Sequence, residues 1–236
     1  MNKILRKYLG VLAALPFLLA PTISNAFELP TFAAGVGFTG ASVHTRGTET
    51  DPEGLVETKK VYDSTALSYM SLFGEVRFNV VDRLGLTVGV SMIPGSAEFV
   101  SESKPDTDLT DVAAGGTPTT GTSTVKGSIE NYVSAYIQPT ISITDVFSVY
   151  LSAGISHMDV EADAQLVTST NFVKSDSSTG THFGAGVMAQ HDSGFFMKLE
   201  GTSSDYESVT YTTSDATVAK AEIDAENVSL LIGKSF

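Results

Sequence analysis

The chain has 236 residues with no cysteine and no tryptophan, and its 27 acidic residues outnumber its 14 basic residues. The absence of cysteine excludes a disulfide-stapled secreted domain and a lipid-anchored lipoprotein. The acidic excess argues against nucleic acid as a partner, because phosphates require lysine and arginine contacts.

Residues 1–26 have the organisation of a secretory signal. A basic start precedes an apolar run over 9–20, and small residues follow at Ser24 and Ala26. The apolar run is shorter than the ~20 residues of a membrane-spanning helix, so we expect cleavage before residue 27 rather than an anchor. The mature chain, 27–236, would then be one domain with 11 basic and 27 acidic residues and a net charge of −16.

From residue 33 onward, apolar residues alternate with small or polar ones, as in strands whose two faces meet different surroundings. Eight such segments are predicted, at 33–43, 65–78, 84–92, 128–139, 147–155, 181–190, from 195 onward, and at 228–236. The gaps between them alternate strictly between long and short. This alternation is typical of an up-and-down meander with tight turns at one end and long loops at the other.

The stretch Val228–Phe236 alternates to the last residue and finishes on an aromatic. It resembles the C-terminal strand of bacterial outer-membrane β-barrels, whose terminal Phe belongs to the signal read by the barrel assembly machinery. Lys234 departs from that pattern, which usually has an aromatic or apolar residue there. With eight segments, the chain is similar to outer-membrane barrels of the OmpX and OmpA type. The resemblance implies an all-β, eight-stranded antiparallel transmembrane barrel in the bacterial outer membrane, present as a monomer, with short periplasmic turns and long external loops.

A soluble barrel with an apolar interior is the alternative to a lipid-facing one. The lipid-facing arrangement is favoured because the faces opposite the apolar ones are poor in the charged residues that solvate a soluble surface. Four aromatic residues of the apolar faces are then expected at the periplasmic rim, namely Phe78, Phe147, Phe195 and Phe236.

Five charged residues fall on faces predicted to point inward: Glu75, Arg77, Glu130, Lys198 and Glu200. An unpaired charge inside a narrow barrel is costly, so we expect ion pairs such as Arg77 with Glu130 or Lys198 with Glu200. Such pairs could form a fixed polar plug, or a gate that opens a small water path when the pairs exchange. The plug is favoured because side chains just fill the interior of eight strands.

Two histidine-containing segments are candidates for a catalytic set, and neither has the arrangement that one requires. His191-Asp192-Ser193 lies on a predicted tight turn, where adjacent residues cannot align as a triad. Ser156-His157 lies near the predicted outer rim without the spacing of known lipid A deacylase or palmitoyltransferase motifs. No metal site or cofactor is expected. The sequence therefore favours a non-enzymatic role in envelope integrity, adhesion or surface recognition; a narrow channel and a lipid A-modifying enzyme are the alternatives.

Most of the acidic residues lie in the long gaps, which predicts acidic external loops. Outer-membrane lipid and lipopolysaccharide, the barrel assembly machinery and an unidentified extracellular ligand are the expected partners. Alternation within 160–173 and 208–223 predicts that the last four strands continue beyond the membrane as projecting hairpins. The segment 101–127, rich in Ser, Thr, Gly and Asp, is expected to be mobile.

Overall fold

The computed structural model describes residues 29–50, 56–108, 119–165, 172–212 and 218–236. The signal predicted over 1–26 lies outside these residues. Regular structure in the described part consists of nine β-strands. They are β1 (Thr31–Thr50), β2 (Val56–Val81), β3 (Leu84–Met92), β4 (Ala97–Asp108), β5 (Thr119–Ser142), β6 (Phe147–Gln165), β7 (Phe172–Gln190), β8 (Phe195–Thr212) and β9 (Val218–Ser235). Within the same residues, no helix has the length and apolar character needed to cross a membrane.

The strands form a closed antiparallel ring with eight positions. Its order is β3-β2-β1-β9-β8-β7-β6-β5, and β5 closes the ring by pairing with β3. β3 and β4 share one position, because β5 pairs with β3 over residues 133–141 and with β4 over residues 119–129. The predicted eight-stranded up-and-down barrel is therefore confirmed, with one strand interrupted at residues 93–96.

Tight turns at residues 82–83, 143–146 and 191–194 lie at one end of the barrel. The start of β1 and the end of β9 also meet there, since the Phe236 amide donates to the Phe32 carbonyl at 2.8 Å. At the other end the strands are longer than predicted, and β2 reaches 26 residues. A transmembrane strand needs only ~9–11 residues, so the strands project well beyond a bilayer. The projection involves all ring positions rather than only the last four strands.

In the half of the barrel next to the tight turns, the apolar faces of the strands point outward. Leu151 is 63% exposed and Val187 50% exposed, while Glu75 and Lys198 on opposite faces are buried at 3% and 2%. This arrangement is the reverse of a soluble barrel, and the soluble alternative is wrong.

The polarity of the two faces inverts along the strands. In β9, the outward residues nearer the tight turns, Val228 and Ile232, are apolar and exposed. Farther from the turns, Asp224 is exposed, whereas Ile223 and Ala225 are buried. The projecting half therefore has an apolar interior and a polar exterior, as a protein in water requires. Its interior cluster is Ala41, Val43, Leu67, Ala97, Met158, Val160, Tyr206, Val209, Ile223 and Ala225.

Two parts of the segment 101–127, expected to be mobile, belong to strands, and residues 109–118 lie outside the described residues. Residues 101–108 belong to β4 and residues 119–127 to β5, paired in register from Ser101 with Lys126 to Asp108 with Thr119. Strand formation here follows from long-range backbone pairing, which overrides the weak β propensity of Ser, Gly and Asp.

Candidate functional site

A hydrogen-bonded plug crosses the lumen in the half of the barrel next to the tight turns, with Glu75 at its centre. The Glu75 carboxylate pairs with the Lys198 ammonium from β8 and with Arg77, whose Nη2 lies 2.8 Å from Oε2. The Tyr136 hydroxyl donates to Glu75 Oε1 at 3.1 Å. Contacts to one buried carboxylate thus come from β2, β5 and β8, across the full width of the barrel.

Two glutamines extend the plug. Gln138 Oε1 accepts a hydrogen bond from Lys198 Nζ at 2.7 Å, and its Nε2 donates to Glu200 Oε2 at 2.8 Å. Arg77 Nη1 donates to Gln190 Oε1 at 3.1 Å. Each cation therefore has a carboxylate and an amide oxygen as acceptors, which compensates the cost of burying charge. The Arg77 guanidinium also stacks 3.9 Å from the centroid of the Phe196 ring.

The predicted inward position is observed for Glu75, Arg77, Lys198 and Glu200, but both predicted pairs are wrong. Lys198 pairs with Glu75 rather than with Glu200, because Gln138 stands between Lys198 and Glu200. The alternation of residues along β5 puts Gln138 on the inner face but gives it no partner. Only the register between β3 and β5, which sets Gln138 opposite Thr87, brings it to the depth of the charges.

Glu130 is the one predicted lumen residue that faces outward. The ladder between β5 and β6 shifts between Glu130 and Val133, with Asn131 at φ 50°. One extra residue in a strand turns the following side chains to the other face. Ile129 accordingly packs against the interior cluster, and Glu130 pairs across the outer face with Asp159.

Depth alone also separates Glu130 from its predicted partner. Arg77 is in register with Thr87, and Thr87 with Gln138. Glu130 lies eight residues further along β5, or ~26 Å at 3.3 Å per residue. No arginine side chain spans that distance.

The plug separates two spaces in the lumen. A vestibule of ≈ 700 Å³ opens at the turn end, with Arg77 and Gln190 in its wall. On the side of the plug away from the turns lies a polar chamber of ≈ 60 Å³, lined by Glu200, His182 and several hydroxyl side chains. The His182 Nδ1 atom is buried there without a protein partner. A polar space of this size is large enough for ordered water.

Glycines make room for the large rings beside the plug. A Cβ atom on Gly186 would overlap the Tyr150 ring and the Leu199 carbonyl, whereas one on Gly74 would meet no atom within 4 Å. We expect Gly186→Ala to lower the free energy of unfolding by about 1–3 kcal/mol through overpacking. Gly74→Ala, the control, should change it by less than about 0.5 kcal/mol. Urea unfolding of refolded protein in lipid vesicles measures both; equal effects would contradict the packing described for Gly186.

Neither of the two histidine-containing segments, Ser156-His157 and His191-Asp192-Ser193, forms a set of nucleophile, base and acid. Ser156 points inward with its Oγ 3.4 Å from the Tyr206 hydroxyl, while His157 points outward beside Thr179 and 3.8 Å from Asp159. His191 Nδ1 lies 2.9 Å from Ser193 Oγ but also accepts from the Ser193 amide, as in a turn cap. In the part of the chain that the structure describes, no ion pair joins His191 to a carboxylate and no metal-binding cluster is found.

The predicted aromatic rim lies on the outer face at the turn end. Phe147 and Phe195 are each 57% exposed and Phe236 is 77% exposed, with Phe78 partly exposed. Lys234 lies between two of these rings, with its Nζ 5.2 Å from the Phe195 centroid and 5.7 Å from that of Phe236. The cation therefore has aromatic partners at a position where a lysine departs from the outer-membrane pattern.

The assembly role of Phe236 stays a prediction. Phe236→Ala removes an exposed ring but keeps the amide bonded to Phe32, so stability in vesicles should fall by less than about 1 kcal/mol. We expect the yield of folded protein in outer membranes of expressing cells to fall several-fold. Phe147→Ala, at the same rim, is the control. A normal outer-membrane yield of Phe236→Ala would contradict the assembly role.

A model of the outer membrane protein beta-barrel domain matches residues 10–233. The chain belongs to this family. Family membership, with the lipid-facing barrel, places the protein in the bacterial outer membrane. No curated protein matches the chain.

Among solved structures, the chain is similar to Ail, the attachment invasion locus protein of Yersinia pestis, in complex with the heparin analogue sucrose octasulfate. The identity is 13% and the TM-score 0.43, and the match covers 87% of this chain and 99% of the Ail chain. Neisserial surface protein A is similar at 12% identity and TM-score 0.38, covering 86% and 99%. The outer membrane protease OmpT of Escherichia coli is similar at 11% identity and TM-score 0.46, covering 92% and 100%.

Proposed function

We propose that the protein is a non-enzymatic surface protein whose projecting strands form a rigid, acidic recognition element, serving adhesion, surface recognition or envelope integrity. The observation that carries the proposal is the polarity inversion: the outer half of the barrel has its own apolar core and a charged exterior. A β-cylinder built in this way holds its outward side chains in fixed positions in water, as a binding surface requires.

Acidic side chains on β8 and β9 define the candidate surface. Asp205 and Asp224 are exposed and directly paired across the two strands, and exposed Glu226 follows two residues along from Asp224. Like charges directly opposite each other destabilise a sheet. No ion pair joins Asp205 or Asp224 to a cation among the described residues, so a cationic partner would relieve this repulsion.

Binding to whole cells tests the proposal. Cells carrying the wild-type protein should retain fluorescent polycationic peptide above cells lacking it, and a matrix-protein and glycan panel extends the screen. The variant Asp205→Asn/Asp224→Asn/Glu226→Gln should lose about tenfold or more of this binding at low salt, with less difference at high salt. The control Asp82→Asn/Asp192→Asn removes charges at the turn end and should bind normally. Equal binding by all cells would overturn the proposal.

A narrow channel is the second candidate, supported by the vestibule and the polar chamber that lie on the two sides of the plug. Exchange of Lys198 from Glu75 to Glu200 would rearrange the contacts that block the lumen. Single-channel recording on refolded protein tests this. Conductance that changes in Arg77→Ala or Lys198→Ala but not in Glu130→Ala, which now serves as the outward-facing control, supports a channel. A silent wild-type protein would exclude it.

Lipid A modification is the third candidate, and the opposite orientations of Ser156 and His157 argue against it. An unchanged lipid A mass spectrum upon expression is the expected result.

A further inference from the structure

The barrel wall is interrupted between β2 and β4. Within the residues that the structure describes, β2 pairs with β3 only from Leu72 to Val81, and β4 pairs with β5 alone. Beyond Leu72, β2 therefore has a strand partner on one side only, which is β1. Among the described residues, no ladder joins β2 to β4. The interruption begins at Ile93–Ser96, the connection between β3 and β4.

This interruption lies at the outer end of the lipid-facing belt. The outward apolar residues that border it are Met70 on β2 and Met92 on β3, 51% and 48% exposed, and outward Ser68 and Ser96 follow. Backbone groups without partners are costly in hydrocarbon but can bond to water or lipid headgroups at the boundary. An open strand edge is therefore tolerated at this depth.

A recess of ≈ 540 Å³ occupies the interruption. Its membrane side is formed by Phe38 and Met70, which are exposed, and its floor by Ile93 and Tyr69, which also line the interior apolar cluster. The volume falls within the ~300–1,000 Å³ of small-molecule sites. Pro94, which has no backbone N–H, lies in the connection, and Ser68 and Ser96 supply hydroxyl groups at the rim.

We propose that this recess binds the acyl chain of one outer-leaflet lipid, with the chain against Phe38, Met70 and Ile93 and the polar part of the lipid at the two serines. The membrane is the source because the recess is continuous with the lipid-facing surface through Phe38 and Met70. The flexible thioether of Met70 adapts to a mobile chain. The interior beyond Tyr69 and Ile93 has only ≈ 30 Å³ of free space, so the chain ends there.

Tryptophan fluorescence tests the proposal, because the chain has no tryptophan of its own. Ile93→Trp reports on the recess, with Tyr69→Trp as the substitute if the first variant does not refold. Leu151→Trp, on the lipid-facing side of β6, is the control. Each variant is refolded in vesicles of phosphatidylcholine brominated in its acyl chains, with unbrominated vesicles as the reference, and slower migration in SDS gels without boiling verifies folding.

With all of the vesicle lipid brominated, we expect the recess reporter to lose more than half of its fluorescence, as the lipid-facing control does, because a bound acyl chain lies against residue 93. Filling the recess with Ser96→Phe in the Ile93→Trp background should abolish most of this quenching, and Ser96→Phe in the Leu151→Trp background should leave the quenching of the control unchanged. Quenching of the recess reporter that persists with Ser96→Phe would overturn the proposal. The proposal would also be wrong if brominated lipid did not quench the recess reporter but a brominated fatty acid added from water did. That result would identify a free fatty acid as the ligand.

Discussion

Replacing Glu75 with alanine is expected to lower the free energy of unfolding by about 3–5 kcal/mol, the cost of removing one partner of a buried ion pair. Glu75 is 3% exposed and is the carboxylate that both Lys198 and Arg77 contact. Its loss leaves two cations in the lumen with amide oxygens as their remaining acceptors. Urea unfolding of the refolded barrel in lipid vesicles, followed by tyrosine fluorescence, measures the change.

Two controls separate this cost from a general effect of removing a carboxylate. Glu130→Ala on the outer face should change the free energy of unfolding by less than about 0.5 kcal/mol. The double variant Glu75→Gln/Lys198→Met removes both charges and should recover at least half of the loss, since apolar or neutral replacements of a whole buried pair are often tolerated. A single Glu75→Ala variant as stable as Glu130→Ala would mean that water in the lumen satisfies the cations.

Deleting Asn131 is expected to unpair the outer half of β5 while leaving its membrane half folded. Asn131 is the extra residue of the bulge and has φ 50°, a left-handed conformation that asparagine and glycine accept. Without it, Glu130 would turn into the apolar cluster and Ile129 out to water. We expect cleavage by trypsin after Lys126, in this part of β5, to become about tenfold faster or more, because the outer segment opens more often.

Asn131→Gly is the matched control, because glycine accepts the same backbone conformation and preserves the register. It should resist trypsin as the wild-type protein does, and both variants should still migrate as folded barrels in SDS gels without boiling. Resistance of the deletion variant at the wild-type level would show that the outer half of β5 tolerates either face inward.

The membrane half of the barrel could be predicted from the sequence because each of its strands repeats one simple alternation. In β3, the predicted bounds of 84–92 equal those of the strand. In β6 and β8, the outward positions of Leu151 and Leu199 follow from apolar alternation alone. The strands of this half can be predicted from local alternation because one face of each strand lies in lipid and the other in a filled lumen.

The projecting half could not be predicted to the same extent, because its apolar face is the opposite one. An inversion of polarity without a change of register, as between Glu226 and Val228, looks in the sequence like the end of a strand. The bulge at Asn131 has no apolar signature, so alternation alone predicts the wrong face for Glu130. The partners of the lumen charges depend on contacts across the ring, and alternation within one strand carries no information about them.

The plug also bears on how the barrel is assembled. Glu75 and Lys198 lie on β2 and β8, which β1 and β9 separate around the ring. An open sheet would hold these charges apart, each hydrated on its own strand. Water can leave the lumen without a large electrostatic penalty only when closure brings the charges together. Sealing of the seam between β3 and β5 and drying of the interior should therefore occur as one cooperative step, late in insertion.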